Sequence, residues 1–369
     1  MLDNNTIYNI AFTMIPRLGC QSQRQLLDII ETPKQLFEMP KSELQTLFGK
    51  HRNTIENILN RSMFAAAEKE LKFIEKNKVK VLFYTDADYP QRLNRPGCED
   101  TPIILYSLGN YDFNTKRVVS IVGTRSATPT GIELTRQLVS GFKQEDVAVI
   151  SGLALGIDTA SHEAALANGL PTVGVLAHGL SQIYPPQNRN LAKRVIASNG
   201  ALVTEIRSDV KITPSFFPTR NRIIAALSDA TVVVEASSKG GALITANLAS
   251  GYHRELFAFP GRIEDKYSEG CNAIIASCKA MLIRNSDDLF NNMGWERKAM
   301  NIGEQTSMFV QLAGDEKTVY DILVAHPQIG TDEIRELSNL SLPKIVTALL
   351  SLELKNLCRC LPGKIYKAL

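Results

Sequence analysis

No run of eighteen consecutive apolar residues occurs in this chain, so the sequence predicts no membrane-spanning helix. Its opening, MLDNNTIYNI, lacks a basic segment followed by an apolar one, and no secretory leader is predicted. None of the six cysteines (Cys20, Cys98, Cys271, Cys278, Cys358, Cys360) forms a Cys-x-x-Cys pair, and the Cys358/Cys360 pair has no second pair to complete a zinc set. Reduced thiols in a cytoplasmic protein, with no metal, are the expectation. Charge of one sign is missing too. With 41 Lys and Arg against 38 Asp and Glu, the net +3 makes any anion site a local groove rather than a global field.

The common enzyme signatures are absent as well. The Gly-Lys pairs at Gly49 and Gly363 are not followed by Ser or Thr, so there is no P-loop. The loop GTRSATPTG (123–131) does not read G-x-G-x-x-G, which leaves a dinucleotide cofactor unsupported. The segment HEAAL from His162 has no second histidine, and no G-x-S-x-G elbow occurs. Ser151, His162 and Asp158 can be assembled into a triad on paper, but nothing in the sequence orders them. No catalytic residue and no cofactor are predicted.

What is present falls into blocks, as the length suggests. Residues 1–75 show apolar spacings of three and four, broken at Pro33 and Pro40, with Ser22, Thr32 and Ser42 as N-cap candidates. This is a small helical domain of SAM or helix-hairpin-helix type, in which IPRLGC fits a hairpin; a helical module with no ligand of its own fits equally. Residues 79–290 alternate short β-branched runs (VKVLFY, RVVSIV, VAVIS, PTVGVLA, ALVTEI, TVVVEA, LFAFP, AMLI) with helical segments. Continuously apolar strands separated by helices predict an α/β fold, a doubly wound, mostly parallel sheet covered on both faces, with ligands beyond the carboxyl ends of its strands. Residues 291–312 lose periodicity and read as a linker. Residues 313–369 read as three helices and a hairpin with Pro-Gly at its tip, a winged-helix-like pattern with a helix start at Thr331. Its third helix carries Lys344, Glu353 and little else polar, which favours protein contact over groove reading.

The post-strand loops hold the candidate site. GTRSATPTG, SGLALGID (151–158), AHGLSQIYPPQN (177–188) and SSKGGALITA (237–246) are rich in glycine and hydroxyls, and each precedes a helix whose first amides can hold an anion. Gly123, Gly152, Gly240 and Gly241 allow close approach, while Arg125 and Lys239 add positive charge. The stretch FFPTRNRIIAAL (216–227) puts Phe217, Arg220 and Arg222 on what reads as one short loop on the same edge. Guanidinium groups grip phosphates, and a ring beside them stacks on a base, as proteins hold single-stranded nucleic acid. A second reading stands beside it, with both phenylalanines in the core and the arginines paired with acids. Since adjacent residues point different ways, Phe216 buried and Phe217 exposed is the natural split.

Seven co-linear motifs (SIVGTRSATPTG, SGLALGIDTASHEAAL, VLAHGLSQIYPPQN, FPTRNRIIAALSDATVVVEAS, GGALITANLA, FAFPG and GCNAIIA) resemble the DprA/Smf family of DNA-processing proteins over residues 80–285. DADYPQRLN and TPIILYSLGN resemble its lead-in. The resemblance implies an extended Rossmann core that binds single-stranded DNA and forms a homodimer. It further implies a mediator of natural transformation, not an enzyme, that protects incoming strands and loads the RecA recombinase. Carried over by position, Arg125 contacts phosphate and Ser151 and Gly152 lie in the Ser-Gly-Leu-Ala loop. Phe217 stacks on a base, with Arg220, Asn221 and Arg222 completing its motif. Lys239, Gly240, Gly241 and Thr245 supply the last loop. Gly240 stands where the family often has serine, SDVKITPSF replaces its Pro-Gly lead-in, and Asn356 replaces a tail glycine. A rival reading is a nucleotide-processing enzyme of the phosphoribohydrolase kind on a related core, using Glu235 or Glu205 as its acid, although the run that marks that group is absent.

Overall fold

The computed structural model describes residues 5–297, 312, 314–326, 329–355, 357–361 and 365–368. It divides into two compact units, Met1–Lys298 and Ala299–Leu369. Residues 298–311 of the segment read as a linker lie outside the described residues.

The first unit opens with six helices: α1 (Thr6–Thr13), α2 (Cys20–Leu27), α3 (Pro33–Glu38), α4 (Lys41–Phe48), α5 (Arg52–Leu59) and α6 (Phe64–Asn77). Thr32 caps α3 by accepting the Gln35 amide at 3.3 Å. Ser22 and Ser42 do not cap: they lie inside α2 and α4, whose N-caps are Gly19 and Pro40. The segment IPRLGC lies between α1 and α2. The helices bury Ile10, Phe12, Leu36, Leu44 and Ile58 together with Phe83, Ile104 and Tyr106, so the helical front shares its core with the edge of the sheet.

The chain then alternates through β1 (Lys80–Phe83), β2 (Ile104–Gly109), β3 (Arg117–Val122), α7 (Pro129–Ser140), β4 (Val147–Ser151), α8 (Ile157–Ala167), β5 (Thr172–Val175), α9 (Arg189–Ala197), β6 (Ala201–Thr204), α10 (Phe216–Ala226), β7 (Ala230–Val233), α11 (Gly241–Gly251), β8 (Glu255–Ala258), α12 (Glu269–Ala276), β9 (Met281–Leu282) and α13 (Ser286–Met293). One nine-stranded sheet results, in the order β1-β2-β6-β5-β4-β3-β7-β8-β9. It is parallel from β6 to β9, with β2 antiparallel to both β1 and β6. The sequence reading places no strand at 104–109; β2 exists because it closes the edge between β1 and β6.

The strands are apolar on both faces because both are covered. Val118, Val122 and Val233 enter a core with Ile223, Ile224 and Ala246 of α10 and α11. Val119, Ile121 and Val232 enter the opposite core with Leu138, Ile157 and Leu289 of α7, α8 and α13. From β3 the chain winds outward through β4, β5 and β6, then crosses back along α10 to β7 on the other side of β3. The strand order therefore reverses between β3 and β7, where the loops at their carboxyl ends part and leave a crevice.

The second unit comprises α14 (Asp315–Ala325), β10 (Ile329–Gly330), α15 (Thr331–Ser338), α16 (Leu342–Leu354), β11 (Cys358–Leu361) and β12 (Ile365–Ala368), with strand order β10-β12-β11. Val319, Leu323, Ile334, Ile345 and Leu349 form its core. The hairpin pairs Leu361 with Ile365, and its Pro-Gly tip, like Asn356, lies outside the described residues. The third helix, α16, exposes Leu342, Val346 and Leu350. Among the described residues no helix is long and apolar enough to cross a membrane, and no cluster of three or more metal-ligating side chains occurs.

Candidate nucleic-acid interface

An open cleft of about 380 Å³ lies at the reversal point. The β3 loop contributes Gly123, Thr124 and Arg125, the β4 loop Ala154 and Asp158, α10 Phe217, Arg220 and Asn221, and the start of α11 Gly240, Gly241 and Thr245. Of the other residues predicted for the site, Gly152 lines a smaller adjoining cavity with Arg125, Phe217 and Arg220, while Ser151, Arg222 and Lys239 line neither.

The stretch that reads as a loop is the first turns of α10. The helical repeat decides which of its side chains meet the cleft: Phe217, Arg220 and Asn221 are spaced i, i+3, i+4 and share one face, while Arg222 falls off it. Arg222 points instead to Glu205, with Nη2 2.5 Å from Oε2. Phe216 and Phe217 are both half-buried, so the buried/exposed split is not found. Neighbours on a helix diverge by about 100° rather than the 180° of a strand, and each ring finds partial cover.

Arg220 lies beneath the cleft rather than across it. It is 6% exposed, and its Nη1 donates to the carbonyls of Gly152, at 2.5 Å, and Val175. Gly152 is what admits it, because a Cβ there would lie 2.5 Å from Nη1. Burial lowers the Arg220 pKa to about 10, with the neighbouring Asp158 opposing the shift and Arg125 adding to it. Burial likewise raises the Asp158 carboxyl, with Arg220 opposing. His162 below them is held neutral, its pKa lowered to about 3 by burial and then by Arg220.

The loops that look alike in sequence differ in what fills them. Asp158 Oδ2 accepts the amides of Gly152 and Ala154 at 3.1 and 3.3 Å, so the β4 loop holds an internal anion. Ser151 is fully buried and donates to the Ile121 carbonyl at 2.7 Å. At the start of α7, Glu235 accepts the Thr128 amide at 3.0 Å and its hydroxyl at 2.5 Å. The start of α11 is different: the amides of Gly241 and Ala242 have no acceptor among the described residues, and no side chain caps the helix. Open amides and the helix dipole make that turn an anion site. Lys239, just before it, is exposed. Gly123 is required for close packing, since a Cβ there would lie 2.5 Å from Ile157 Cγ1.

Arg125 is exposed, and its guanidinium lies 5.5 Å from the Phe217 ring centre. Tyr184 meets the Phe217 ring edge-on at 5.7 Å and is 46% exposed. The three form a ledge of cation and rings along the smaller adjoining cavity, and Arg125 and Phe217 carry it into the cleft that Gly241 and Ala242 line. The sequence reading missed Tyr184, although it lies in the loop singled out for its glycine and hydroxyls; the aromatic before two prolines was the available signal. His178 fixes that loop, with its Nε2 accepting the Tyr184 amide at 3.1 Å and its Nδ1 3.0 Å from the Gly179 carbonyl. This requires the neutral Nδ1–H tautomer, and burial lowers the His178 pKa accordingly. The acids of the rival enzyme reading are engaged elsewhere, Glu235 with Thr128 and Glu205 with Arg222.

Residues 80–294 match the protein family described as DNA recombination-mediator protein A, and residues 310–364 match the DprA winged helix domain. Protein Smf of a Synechocystis strain is 29% identical over 399 aligned positions that span the whole of both chains. Among solved structures, DNA processing protein A from Streptococcus pneumoniae aligns with a TM-score of 0.68 and 30% identity, covering 78% of this chain and 97% of that one. DNA processing protein A from Helicobacter pylori, whose structure addresses its single-stranded DNA binding mode, aligns with a TM-score of 0.52 and 29% identity over 58% of this chain and 95% of that one.

Proposed function

This chain belongs to the DprA/Smf family, and from that premise we propose that the cleft holds single-stranded DNA for recombination. The observation that carries the reading is the ledge of Arg125, Phe217 and Tyr184 leading into the cleft that the open start of α11 lines. A base stacks on Phe217 or Tyr184, and its phosphate reaches the Gly241 and Ala242 amides and the Arg125 guanidinium. Buried Arg220 supports the face from beneath, and half-buried Asn221 lines it; Asn221 Nδ2 reaches the Gly241 carbonyl at 3.5 Å and ties α10 to α11. Stacking accepts any base, so this cleft has low sequence specificity.

The broader role rests on family membership alone. The protein acts in the cytoplasm as a homodimer through its Rossmann core, protects incoming single strands during natural transformation, and loads RecA. It works as a mediator rather than a catalyst. Fluorescence anisotropy of single- and double-stranded oligonucleotides across a salt series tests the cleft. Single-strand preference that weakens with salt and with Phe217→Ala supports it; equal binding of both forms, or an unaffected Phe217→Ala protein, sinks it.

A further inference from the structure

The two rings of the ledge sit on different segments. Tyr184 belongs to the loop before α9, and Phe217 to the first turn of α10. Both segments are tied to one short stretch, residues 205–208, which follows β6. Glu205 holds α10 through Arg222, with Oε2 2.5 Å from Nη2. The Ser208 carbonyl accepts the Ser181 hydroxyl, in the Tyr184 loop, at 2.6 Å. Gly179 of that loop packs so closely on the stretch that a Cβ there would stand 2.3 Å from the Arg207 carbonyl oxygen.

The stretch is held in turn by the helical front. Glu70 of α6 is 2% exposed, yet its carboxylate meets Ser208 rather than a residue of the front. Oε1 and Oε2 accept the Ser208 amide at 3.0 and 2.9 Å, and Oε2 also accepts its hydroxyl at 2.6 Å. Burial raises the Glu70 carboxyl pKa, and the Ser208 donors oppose that shift. Bonds to an ionised acceptor are roughly twice as strong as neutral ones, so this clasp fixes the loop firmly. It is not needed to dock the front, which already shares an apolar core with the sheet edge. What the clasp adds is direction: it fixes the one stretch from which both ring-bearing segments are held.

We infer that Glu70 is a positioning residue for single-strand binding, which sets the juxtaposition of Tyr184 and Phe217 through Ser208. The helical front thereby acts on the bound strand without touching it. The inference rests on the proposed function.

The test is a double-mutant cycle on the full chain, read by anisotropy of a labelled thymidine oligonucleotide. Glu70→Ala is expected to weaken binding about fivefold in the wild type, and less than about twofold in Phe217→Ala, where the ring pair is already gone. A merely structural role would give the same loss in both backgrounds. Ser208→Asp leaves the core of the front intact and sets two carboxylates face to face. It is expected to weaken binding about fivefold with the same dependence on Phe217, and adding Glu70→Gln, which supplies a donor to the new carboxylate, is expected to restore most of the affinity. This second pair decides the matter if Glu70→Ala does not fold. Wild-type affinity in folded Glu70→Ala or Ser208→Asp, or a loss equally large without Phe217, overturns the inference. The cleft proposal still stands in that case as long as Phe217→Ala alone weakens binding. A wild type without single-strand preference, or an unaffected Phe217→Ala protein, overturns the proposed function and this inference with it.

Discussion

The loops after β4 and β7 look interchangeable in sequence, each glycine-rich and each leading into a helix. In the folded chain they are opposites. The β4 loop is filled by Asp158, which takes the amides of Gly152 and Ala154 and lies beside Arg220. The β7 loop leads to α11 with its first amides open. Open backbone amides bind the nearest anion, and in the loop ahead of α8 a carboxylate of the same chain holds that place. Glycine content therefore locates helix starts near a sheet edge, while the nearest acid decides which of them can take a ligand.

The largest effect that would break this contrast is loss of Arg220. Arg220→Ala leaves two buried carbonyls without a donor and Asp158 without its cation, and it should cost about 3–5 kcal/mol, measured by denaturant unfolding. An unfolding midpoint equal to the wild type would mean that the β4 loop does not depend on its internal charges. Phe217→Ala acts on the open side. It should weaken single-strand binding by about 1–3 kcal/mol with far less effect on stability. Arg125→Ala should lower the salt slope of log affinity by about 1 and leave thermal stability nearly unchanged, because the side chain is exposed and carries no buried hydrogen bond. An unchanged slope would remove Arg125 from phosphate contact. The smallest effect is Lys239→Ala, about twofold or less in affinity, since the side chain is exposed and lines neither cavity.

The buried histidines sharpen the same contrast by pH. The His162 pKa is lowered to about 3, so the unfolded chain binds its proton more readily than the folded one does. Its contribution to stability is full above about pH 6.5 and declines as pH falls toward 3. His178 works in the same direction, because its protonation would set an N–H against the Tyr184 amide. Thermal midpoints from pH 7 to 4 should fall in the wild type, and His162→Asn should lack part of that slope. A slope identical in the two proteins would contradict the assignment.

Much of the fold is legible from the chain. Apolar runs such as RVVSIV and VAVIS, continuous rather than alternating, are what a sheet covered on both faces requires. The motifs that resemble the family lie at strand ends, on the post-strand loops and on the helices that follow, α8 and α10 to α12. Strand β2 was not legible, since ILYSLG becomes a strand by pairing on both sides, with β1 and β6, which are distant from each other in sequence. Within α10 the residues were legible but their directions were not. Arg220, Asn221 and Arg222 are consecutive in sequence, yet the helical turn sends the first two to the cleft and the third to Glu205.

The sequence by itself determined composition and period, and through them the layered α/β architecture, the winged tail and a glycine-rich edge where ligands gather. These properties are local, summed along the chain and independent of what lies opposite. Only the tertiary structure decided which arginine is a buried support and which is an exposed cation, which helix start is filled, and that Tyr184 completes the ledge. Most of those outcomes depend on a partner tens of residues away, as Arg220 does on Gly152 and Phe217 on Tyr184, and charge, solvation and stacking act through distance in space rather than separation along the chain.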